Sequence, residues 1–385
     1  MKVLEVLDCF YPNIDGPINV CVNIAQIANT KNLAEVEMLV PSYPKNYDCD
    51  NVVVHRCRSL KSTEGYRMAI PKFDRKVKKL IKNGGFDVVH VHSPFGLGRY
   101  AVKMAKKYKI PVCFTVHTKF KSDFERKLKS KFLQNFMLKY ILKPMDKSDY
   151  VLSVSNGAGE TVKEYGCKKE KIHIIRNGTD MKPAMVEQSL KDDVIKKYNL
   201  AGKFVFLFVG RIVPNKNVQF SLEVLKLLKQ KTDKDFVFLV VGGGDYIPKL
   251  EKLAEDYGIS ENVVFVGKVM DREYLSAIYA CADLFLFPST FDTCGIVALE
   301  AAVNGLPSVM IENSCASELI VTGKNGLGLP EEASVWADNI KKVMDNPKLL
   351  QDMKTDVKKT LYIPWEQIVN EYIEFYQKMI KNEVN

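Results

Sequence analysis

Residues 284–307 combine the parts of an anion-binding turn. An apolar run, Leu284–Phe287, leads into a polar turn at 288–293, which is followed by Gly295 and an apolar stretch that contains Glu300. A strand that passes through a turn into a helix leaves backbone N–H groups unpaired at the helix start, where the helix macrodipole adds partial positive charge. Such a helix start binds phosphate.

Two cations upstream suit the same anion. Arg211 and Lys216 follow the strand-like run Phe204–Val209. If that strand lies next to Leu284–Phe287 in one parallel sheet, both side chains reach the edge at which the turn lies. The pattern predicts a diphosphate site.

Glu300 lies in an otherwise apolar helical run. A buried carboxylate must be hydrogen-bonded or it destabilises the fold, and the two hydroxyls of a ribose would satisfy it. Asp292, eight positions earlier in the turn, would lie nearer the far end of the ligand. The spacing by itself fits equally well a nucleotide-diphosphate site and a plain α/β core with one partnered glutamate.

Seven segments occur in a recognisable order. They are GRIVPNKN at 210–217, VVGGG at 240–244, VGKV at 266–269 and the turn-helix at 288–307, with DVVHVHSP at 87–94, TVHT at 115–118 and NGTD at 177–180. The first four resemble the nucleotide-sugar half of the retaining glycosyltransferases of family 4. The last three resemble the acceptor-side motifs of that family, so the resemblance covers nearly the whole chain.

The resemblance implies an α/β protein with two Rossmann-like domains that face a central cleft, the GT-B fold. We expect residues 1–190 to bind the acceptor and residues 191–365 to bind the donor, with a C-terminal helix at 366–385 that crosses back to the first domain. Short β-branched runs that alternate with helical stretches favour parallel sheets, and 385 residues suffice for two cores. The alternative is that the last helix covers the second domain.

The resemblance also implies a reaction, in which a hexose moves with retention from a UDP- or GDP-sugar to an acceptor, without a metal ion or other cofactor. The implied donor site places the ribose on Glu300, the base near Gly267 and Val269, and the far end of the ligand near Asp292. Thr293 is a further donor-binding residue. The diphosphate would lie between the cations Arg211 and Lys216 and the N–H groups that follow the turn, those of Cys294, Gly295 and Ile296. Fixed positive charge there would stabilise the leaving diphosphate. We therefore predict Arg211, Lys216, Asp292 and His117 as catalytic residues.

His117 follows the strand-like run Val112–Val116, and the resemblance places it against the donor sugar. Whether it transfers a proton stays open. His92, Lys119 and Lys121 are the acceptor-site candidates.

The remaining histidines are interpreted as structural. We expect only one of His90 and His92 to face the site, because they lie on one strand, and we choose His92 since it is nearer the strand end. His55 and His173 are expected to be structural.

Three positions depart from the family pattern. Asp292 stands where the family usually has a glutamate, which bears on the identity of the sugar, and Cys294 stands where an aromatic residue is common. Gly16-Pro17 replaces two glycines near the donor phosphates. Because proline has no N–H, we expect any phosphate contact there to come from Gly16 or from a neighbour such as Ile18.

Positive charge is concentrated in the N-terminal half. Residues 1–190 hold 33 Lys and Arg against 19 Asp and Glu, whereas the remainder holds 23 against 27. Segment 119–143 has eight bases and two acids, with apolar residues at helical spacing. A basic amphipathic helix of this kind is typical of a contact with an anionic membrane surface, as expected for phosphatidylinositol mannosyltransferases and bacterial diacylglycerol glucosyltransferases, whose architecture is similar. The alternative is an ordinary surface helix with a solvated basic face.

Composition limits the classes of protein to which this chain can belong. Nine cysteines without a C-x-x-C pair favour reduced thiols and argue against structural zinc, and no nucleic-acid-binding module is recognisable. We expect a cytoplasmic protein, peripheral at the inner face of the cell membrane, that glycosylates a lipid or lipid-linked glycan. The alternatives are a soluble sugar or polysaccharide acceptor, or a nucleotide-sugar binder without activity.

Overall fold

Two parallel β-sheets, each within its own unit, organise the chain. Unit 1 comprises Met1–Gly178 and Trp365–Asn385, and unit 2 comprises Thr179–Pro364. The computed structural model describes residues 1–13, 16–45, 47–62, 66–181 and 186–384, without the side chains of 122, 123, 126 and 127.

Fifteen strands are found in these described ranges. In unit 1 they are β1 Lys2–Val6, β2 Glu35–Pro41, β3 Val53–Cys57, β4 Ser59–Lys61, β5 Arg67–Ala69, β6 Val88–Val91, β7 Val112–Val116, β8 Tyr150–Ser153 and β9 His173–Ile174. In unit 2 they are β10 Phe204–Val209, β11 Phe236–Val241, β12 Val263–Gly267, β13 Leu284–Phe287, β14 Ser308–Ile311 and β15 Gly326–Leu329.

The helices connect the strands. They are α1 Gly16–Thr30, α2 Arg75–Asn83, α3 Gly96–Tyr108, α4 Phe120–Lys127, α5 Lys131–Lys147, α6 Asn156–Glu164, α7 Gln188–Lys197, α8 Val218–Lys229, α9 Ile247–Asp256, α10 Arg272–Ala280, α11 Ile296–Val303, α12 Ala333–Asp345, α13 Pro347–Leu361 and α14 Trp365–Lys381. Short 3-10 turns occur at Pro71–Phe73, Pro214–Lys216, Ser260–Asn262 and Cys315–Ser317.

Both large sheets have the doubly wound order. The seven-stranded sheet of unit 1 runs β3-β2-β1-β6-β7-β8-β9, and the six-stranded sheet of unit 2 runs β12-β11-β10-β13-β14-β15. Their central strands are continuous apolar runs, FVFLFV in β10 and FVFLVV in β11, because helices cover both faces of such sheets. The expectation of two Rossmann-like α/β domains is confirmed.

The boundary between the units lies earlier than the sequence predicts. The structure divides the chain after Gly178, not at 190/191. Thr179 donates its N–H to the carbonyl of Ile363 at 2.9 Å, and the Met181 side chain lies in the core of unit 2. These contacts tie the connecting segment to the second sheet, although its composition is that of a polar linker.

The C-terminal helix belongs to unit 1. α14 packs against α1 and buries an apolar face that includes Trp365, Tyr372 and Tyr376. The helix begins at Trp365, where the chain leaves unit 2.

The basic segment 119–143 is two helices, where the sequence predicts one. α4 ends at Lys127, Leu128 is extended, and the Ser130 hydroxyl caps α5 by accepting the N–H of Leu133 at 3.4 Å. A serine cap competes with helix continuation, because it supplies the N-terminal N–H groups with a partner outside the helix. Leu138, Ile141 and the other apolar residues of the C-terminal half of α5 are buried.

Candidate active site

The order of the strands in unit 2 places the candidate donor loops side by side. From β10 the chain moves outward to β11 and β12, and it returns to the other side of β10 at β13. β10 and β13 pair directly, with Phe206 opposite Leu284 and Leu207 opposite Phe285. The condition under which Arg211 and Lys216 share an anion with the 288–295 turn is therefore met. In an open α/β sheet, the carboxyl edge at such a reversal of strand order is the place where ligands bind.

Glycines allow the loops after β10 and β11 to make close backbone contacts. Ile212 donates its N–H to the Gly243 carbonyl at 3.0 Å. A Cβ added at Gly242 would lie 1.8 Å from the Gly210 carbonyl oxygen, and one at Gly244 would lie 2.0 Å from that of Ile212. Gly242 and Gly244 are thus required by backbone contact, and they fix the course of the loop that carries Arg211.

Lys216 and Asp292 form an ion pair. The Lys216 Nζ lies 2.6 Å from Oδ1 and 2.8 Å from Oδ2 of Asp292. The Ser289 hydroxyl holds this turn by accepting the N–H groups of Phe291 and Asp292 at 3.3 and 3.4 Å. Two residues that the sequence predicts to act at opposite ends of the sugar phosphate are therefore in direct contact.

Arg211 differs from Lys216 in its surroundings. Its side chain is exposed, and within the described part of the chain no acid pairs with it. A guanidinium on a rigid loop with its five donors uncommitted is suited to bidentate binding of phosphate.

The start of α11 has no side-chain cap. Gly295 is its N-cap, with φ +67°, and this residue has no side chain that could accept an N–H of the first turn. An added Cβ at Gly295 would lie 3.1 Å from Cβ of Ala316 in addition to the unfavourable φ, so glycine is required here. The arrangement leaves the N–H groups that begin with Ile296 at the carboxyl edge of β13. Thr293 and Cys294 immediately precede Gly295, and both are half-buried.

Glu300 is buried, and two side chains hold its carboxylate. Arg272 donates to Oε1 at 3.0 Å and Tyr279 donates to Oε2 at 3.1 Å, while Arg272 also pairs with Asp180 at 2.6 Å. Burial raises the pKa of Glu300, and the Arg272 charge opposes that rise. The hydrogen bonds that Glu300 requires are therefore made by protein groups, so its burial by itself is not evidence for a ribose.

Arg272, Tyr279 and Asp180 are absent from the sequence-based site. Asp180 ends the NGTD segment, and Arg272 opens α10 three residues after Val269, the last residue of the VGKV segment. No spacing rule links an arginine at the start of one helix with a glutamate within the next, so only the packing of α10 against α11 could identify the pair.

Gly267 and Val269 lie at the end of β12. Gly267 has φ +82° and accepts the N–H of Gly242 at 2.9 Å. Val269 is half-buried against the core of unit 2. The predicted base-binding backbone is thereby connected to the same glycine triplet that supports the Arg211 loop.

Three histidines of unit 1, His90, His92 and His117, form a cluster at the carboxyl edge of its sheet. His90 and His92 lie on the same side of their strand and not on opposite sides, since their rings lie 3.8 Å apart and both contact Glu5 on β1. Residues two apart on a strand point to the same side, because the alternation has period two. Both imidazoles are buried.

His117 continues this cluster. Its Nε2 lies 2.9 Å from Nδ1 of His92, and the Nε2 of His92 is hydrogen-bonded to Oε2 of Glu5. Burial lowers the pKa of His92 to about 4 and lowers that of His117 well below its ordinary value. Burial alone would raise the pKa of the Glu5 carboxyl, but the two imidazoles of His90 and His92 hold it well below its usual range. Glu5 has no counterpart in the sequence-based prediction.

The other predicted residues of unit 1 lie on helix starts. Gly16 is the first residue of α1, with Pro17 in the first turn, a position that proline tolerates because that N–H has no helical partner. Lys119 precedes α4, and Lys121 is exposed in its first turn.

One group of side chains has the spacing of metal ligands. Among the described residues, ligand atoms of Glu5, Cys21 and His92 lie within 4.8 Å of one another. We assign no ion to it, because a hydrogen bond already joins the Glu5 carboxylate to the His92 Nε2.

In the part of the chain that the structure describes, each helix is too short or too polar to cross a bilayer.

Comparisons with known proteins identify the family. A family model described as "Glycosyl transferases group 1" matches residues 191–360, and one described as "Glycosyltransferase Family 4" matches residues 28–182. The chain is 26% identical over 367 residues to an alpha-monoglucosyldiacylglycerol synthase of Acholeplasma laidlawii, with 91% of this chain and 90% of the relative covered. A Streptococcus pneumoniae enzyme of the same name is 27% identical over 250 residues, which span 64% of this chain and 56% of that protein.

Solved structures agree on the fold. Anabaena Alr3699/HepE in complex with UDP superposes with a TM-score of 0.77 at 17% identity and covers 98% of this chain and 100% of its own. WaaG, a glycosyltransferase involved in lipopolysaccharide biosynthesis, superposes with a TM-score of 0.72 at 18% identity and covers 97% and 99%. With two family models on the two halves and this fold, the chain belongs to the group 1 and family 4 glycosyltransferases of the GT-B fold, enzymes that use a nucleotide sugar as donor.

Proposed function

We propose that this glycosyltransferase moves a hexose, with retention of configuration, from a UDP- or GDP-sugar to a membrane lipid or lipid-linked glycan. Unit 2 binds the donor, and unit 1 binds the acceptor and an anionic membrane surface. No metal ion is needed for the transfer.

The observation that supports the donor site most strongly is the convergence of cations and helix N–H groups at the reversal of strand order in unit 2. Arg211, Lys216 and the start of α11 follow the paired strands β10 and β13. As the bond between sugar and phosphate breaks, negative charge grows on the leaving diphosphate. Donors and cations held there before the reaction lower the barrier because they need no reorganisation.

Glu300 retains capacity for a ribose. An ionised carboxylate has about four lone-pair positions, and Arg272 and Tyr279 use one on each oxygen. Two ribose hydroxyls can therefore donate to the remaining positions. The protein partners hold the carboxylate in place and reduce the cost of its burial, which favours its use as a rigid acceptor.

Titration calorimetry with UDP, GDP and their hexose derivatives tests this site. We expect Arg211→Ala to weaken donor binding by at least about tenfold, the loss of one charge-assisted hydrogen bond, and Glu300→Gln to weaken it by a similar factor. Lys231→Ala is the matched control, because Lys231 pairs with Asp338 on the surface of the same unit. If Arg211→Ala and Glu300→Gln both bind donor as the wild type does, the donor site lies elsewhere.

The proposal that transfer needs no metal ion is tested by measuring the transfer rate with and without a chelator. Arg211, Lys216 and the α11 start supply the positive charge that a divalent ion supplies in other transferases. We expect the transfer rate to be the same in excess chelator as in magnesium or manganese. A loss of activity in chelator that added metal restores would contradict the proposal.

A membrane-facing surface on unit 1 supports the lipid acceptor, as do the two relatives named alpha-monoglucosyldiacylglycerol synthases. In the N-terminal half of α5, Phe132 is 81% exposed and Phe136 is 54% exposed, beside exposed Lys129, Lys131 and Lys139. Two exposed aromatic rings flanked by bases on one helix favour insertion into an anionic interface over a merely solvated face.

A basic cavity adjoins this surface. Its volume is about 540 Å³. It is lined by residues of the 3-10 turn Pro71–Phe73, of helix α3 and of helix α5. Five cations take part in the lining, namely Lys72, Arg99, Lys103, Lys143 and Lys147, without an acid among the lining residues. This charge is complementary to lipid phosphate.

Vesicle flotation tests the membrane contact. We expect binding to phosphatidylcholine vesicles that contain phosphatidylglycerol and little binding to phosphatidylcholine alone. Lys129→Glu, Lys131→Glu and Lys139→Glu together should weaken binding by at least about tenfold, since each base near the surface contributes about 1 kcal/mol. Lys324→Glu, Lys348→Glu and Lys359→Glu, on exposed lysines of unit 2, form the control with equal charge change. Equal loss of vesicle binding in both variants would show that binding depends on the net charge of the protein and not on this surface of α5.

An acceptor panel separates the lipid from a soluble acceptor. Labelled UDP- and GDP-sugars are incubated with diacylglycerol in vesicles, with phosphatidylinositol and with free sugars, and the anomeric configuration of any product is read by NMR. A labelled lipid with the configuration of the donor supports the proposal. Transfer to free sugars alone would contradict the proposed lipid acceptor. A product with inverted anomeric configuration would contradict the proposed retaining mechanism.

A further inference from the structure

The proline inside α5 leaves one carbonyl of that helix without its usual partner. In a regular helix the N–H of residue 144 would bind the carbonyl of Tyr140, but Pro144 has no N–H. Arg99 on α3 donates its Nη1 to this carbonyl instead. A proline in a helix interior is normally destabilising, and here the acceptor that it vacates binds a cation from a neighbouring helix.

Two contacts with one residue fix the orientation of Arg99. Its guanidinium carbon lies 3.9 Å from the centre of the Tyr140 ring, and its Nη1 binds the carbonyl of the same residue. A guanidinium has five N–H donors, and the bond to the carbonyl uses one of them. Arg99 also lines the basic cavity between α3 and α5. An oriented guanidinium with donors to spare is suited to bidentate binding of a phosphate in that cavity.

Four lysines line the same cavity, namely Lys72, Lys103, Lys143 and Lys147. Lys103 lies four residues after Arg99 on α3, and the two lysines of α5 are also four residues apart, so each helix presents two cations on one face. Among the described residues no acid pairs with any of these five cations, whereas Lys106, elsewhere on α3, pairs with Asp149. Like charges held together without a counter-charge repel one another, and a bound anion would relieve this repulsion.

Exposed apolar side chains accompany these cations. Phe73, which follows Lys72 in the 3-10 turn, lines the cavity and is 76% exposed. Leu60 and Met68 are paired in the hairpin β4–β5, which leads into this turn, and they are 51% and 55% exposed. Cations beside exposed apolar groups match the two parts of a phospholipid, its phosphate and its acyl chains, whereas a soluble phosphate would use the cations alone.

We propose that the cavity between α3 and α5 binds the phosphate of one anionic phospholipid, with Arg99 as its bidentate ligand and Pro144 as the residue that positions Arg99. This rests on the proposed membrane contact of unit 1. It adds one defined site to a surface that otherwise attracts lipid through its charge. The lysines neutralise the bound phosphate, and Phe73 contacts the acyl chains next to the headgroup.

Titration calorimetry with short-chain lipids tests the site without a membrane. Dihexanoylphosphatidylglycerol, kept below its micelle concentration, is compared with dihexanoylphosphatidylcholine, glycerol 1-phosphate and inorganic phosphate. We expect the anionic lipid to bind at least about tenfold more tightly than the other three probes, because only this probe combines a net negative phosphate with acyl chains. Affinity for any of the other three that equals or exceeds that for the anionic lipid would overturn the proposal, as would no binding of the anionic lipid.

Two variants test the roles of Arg99 and Pro144. Arg99→Lys keeps the charge but removes the planar fork and the stacking on Tyr140, so affinity for the anionic lipid should fall at least about tenfold. Pro144→Ala restores a helical N–H that competes with Arg99 for the Tyr140 carbonyl, so affinity should fall about threefold or more while Tm is unchanged or higher. Unchanged affinity in Arg99→Lys would overturn the site, and unchanged affinity in Pro144→Ala would overturn the positioning role.

Two further variants serve as controls. Lys107→Ala removes an exposed lysine of α3 that does not line the cavity, and it should bind the anionic lipid as the wild type does. Phe73→Ser should weaken binding of the lipid but not of glycerol 1-phosphate, because it removes an apolar contact only. Equal loss in Lys107→Ala and Arg99→Lys would overturn the site.

The short-chain lipids are monomeric in this assay, so its result is independent of vesicle flotation. Vesicle binding by a protein that does not bind the short-chain anionic lipid would overturn the cavity site and leave the membrane contact of unit 1 standing. Binding of the short-chain lipid without vesicle binding would overturn the membrane contact and leave the phosphate site standing.

Discussion

The carboxylates of Glu5 and Glu300 are both buried, and hydrogen bonds from distant residues hold both. Glu5 is hydrogen-bonded to Tyr376, which is 371 positions away in the sequence, and to His92, which is 87 positions away. Glu300 accepts hydrogen bonds from Arg272 and Tyr279. A buried carboxylate without such partners would cost several kcal/mol. At the residue scale, both units therefore contain side chains that hold a buried acid in place.

Loss of Arg272 should expose this dependence. We expect Arg272→Ala to lower the free energy of unfolding by about 1–2 kcal/mol, less than for a fully buried pair because 46% of the arginine side chain is exposed. Urea denaturation at pH 7 measures the change, with Lys231→Ala as a surface-pair control. A change equal to that of the control would mean that Glu300 does not need Arg272.

The buried histidines predict an acid-sensitive stability. His92 has a pKa of about 4 in the folded protein against 6.5 ordinarily, so between these values the unfolded chain binds more protons. Stability is therefore fully present above about pH 6.5 and is lost as pH falls toward 4, by about 1.4 kcal/mol per pH unit for each such group.

Urea denaturation across this pH range measures the slope. His92→Gln should flatten it relative to the wild type, whereas Tyr376→Phe, which keeps His92, should not. A wild-type slope that His92→Gln leaves unchanged would show that His92 is protonated in the folded state.

Elements position the donor site through backbone contacts more than through side chains. The loops after β10 and β11 meet at distances that only glycine permits, and α11 starts from a glycine in the left-handed region. The loop after β10 carries Arg211, and α11 is the helix proposed to bind the donor phosphates, so rigid backbone contacts there would let cations and N–H groups act together.

A methyl group at this contact should misplace the loop. We expect Gly244→Ala to reduce donor affinity by about tenfold or more and to lower Tm, because its Cβ would lie 2.0 Å from the Ile212 carbonyl oxygen. Gly328→Ala on β15 is the control, since its nearest neighbour would be at an ordinary 3.4 Å. Calorimetry and thermal denaturation report the two effects, and equal behaviour of both variants would contradict the role of the triplet.

For the whole molecule, the path of the chain joins its end to its beginning. α14 returns to unit 1, packs on α1 and supplies Tyr376 to Glu5 of the first strand. The fold of unit 1 therefore includes the last helix of the chain.

The net positive charge belongs to the N-terminal half, in which the exposed face of α5 and the basic cavity lie.

Removal of α14 tests this closure. A chain that ends at Pro364 should lose hydrogen-exchange protection throughout the unit 1 sheet while unit 2 keeps most of its protection, because α14 buries Trp365, Tyr372 and Tyr376 in unit 1. Exchange mass spectrometry resolves the two units. Lys378→Ala, an exposed change on the same helix, is the control, and equal loss in both units would show that they unfold together.

The sequence by itself determined most of the sheets and the order of the donor motifs. β7, β10 and β13 have the bounds that their apolar runs predict, since strands covered on both faces must be continuously apolar. The hairpin β4–β5 and the glycine-rich β15 were not predicted. Their polar or small residues carry no such signal, because they lie outside the sheet centres.

Only the tertiary structure decided which groups surround the acids. Arg272 and Tyr279 on Glu300, and Glu5 behind His92 and His117, are brought together by helix packing and by adjacency of strands that are far apart in the chain. The break at Leu128 likewise follows from a serine cap that competes with the helical pattern. Periodicity and motif spacing report which face of an element is buried, but contacts between elements depend on their packing, which local sequence does not encode.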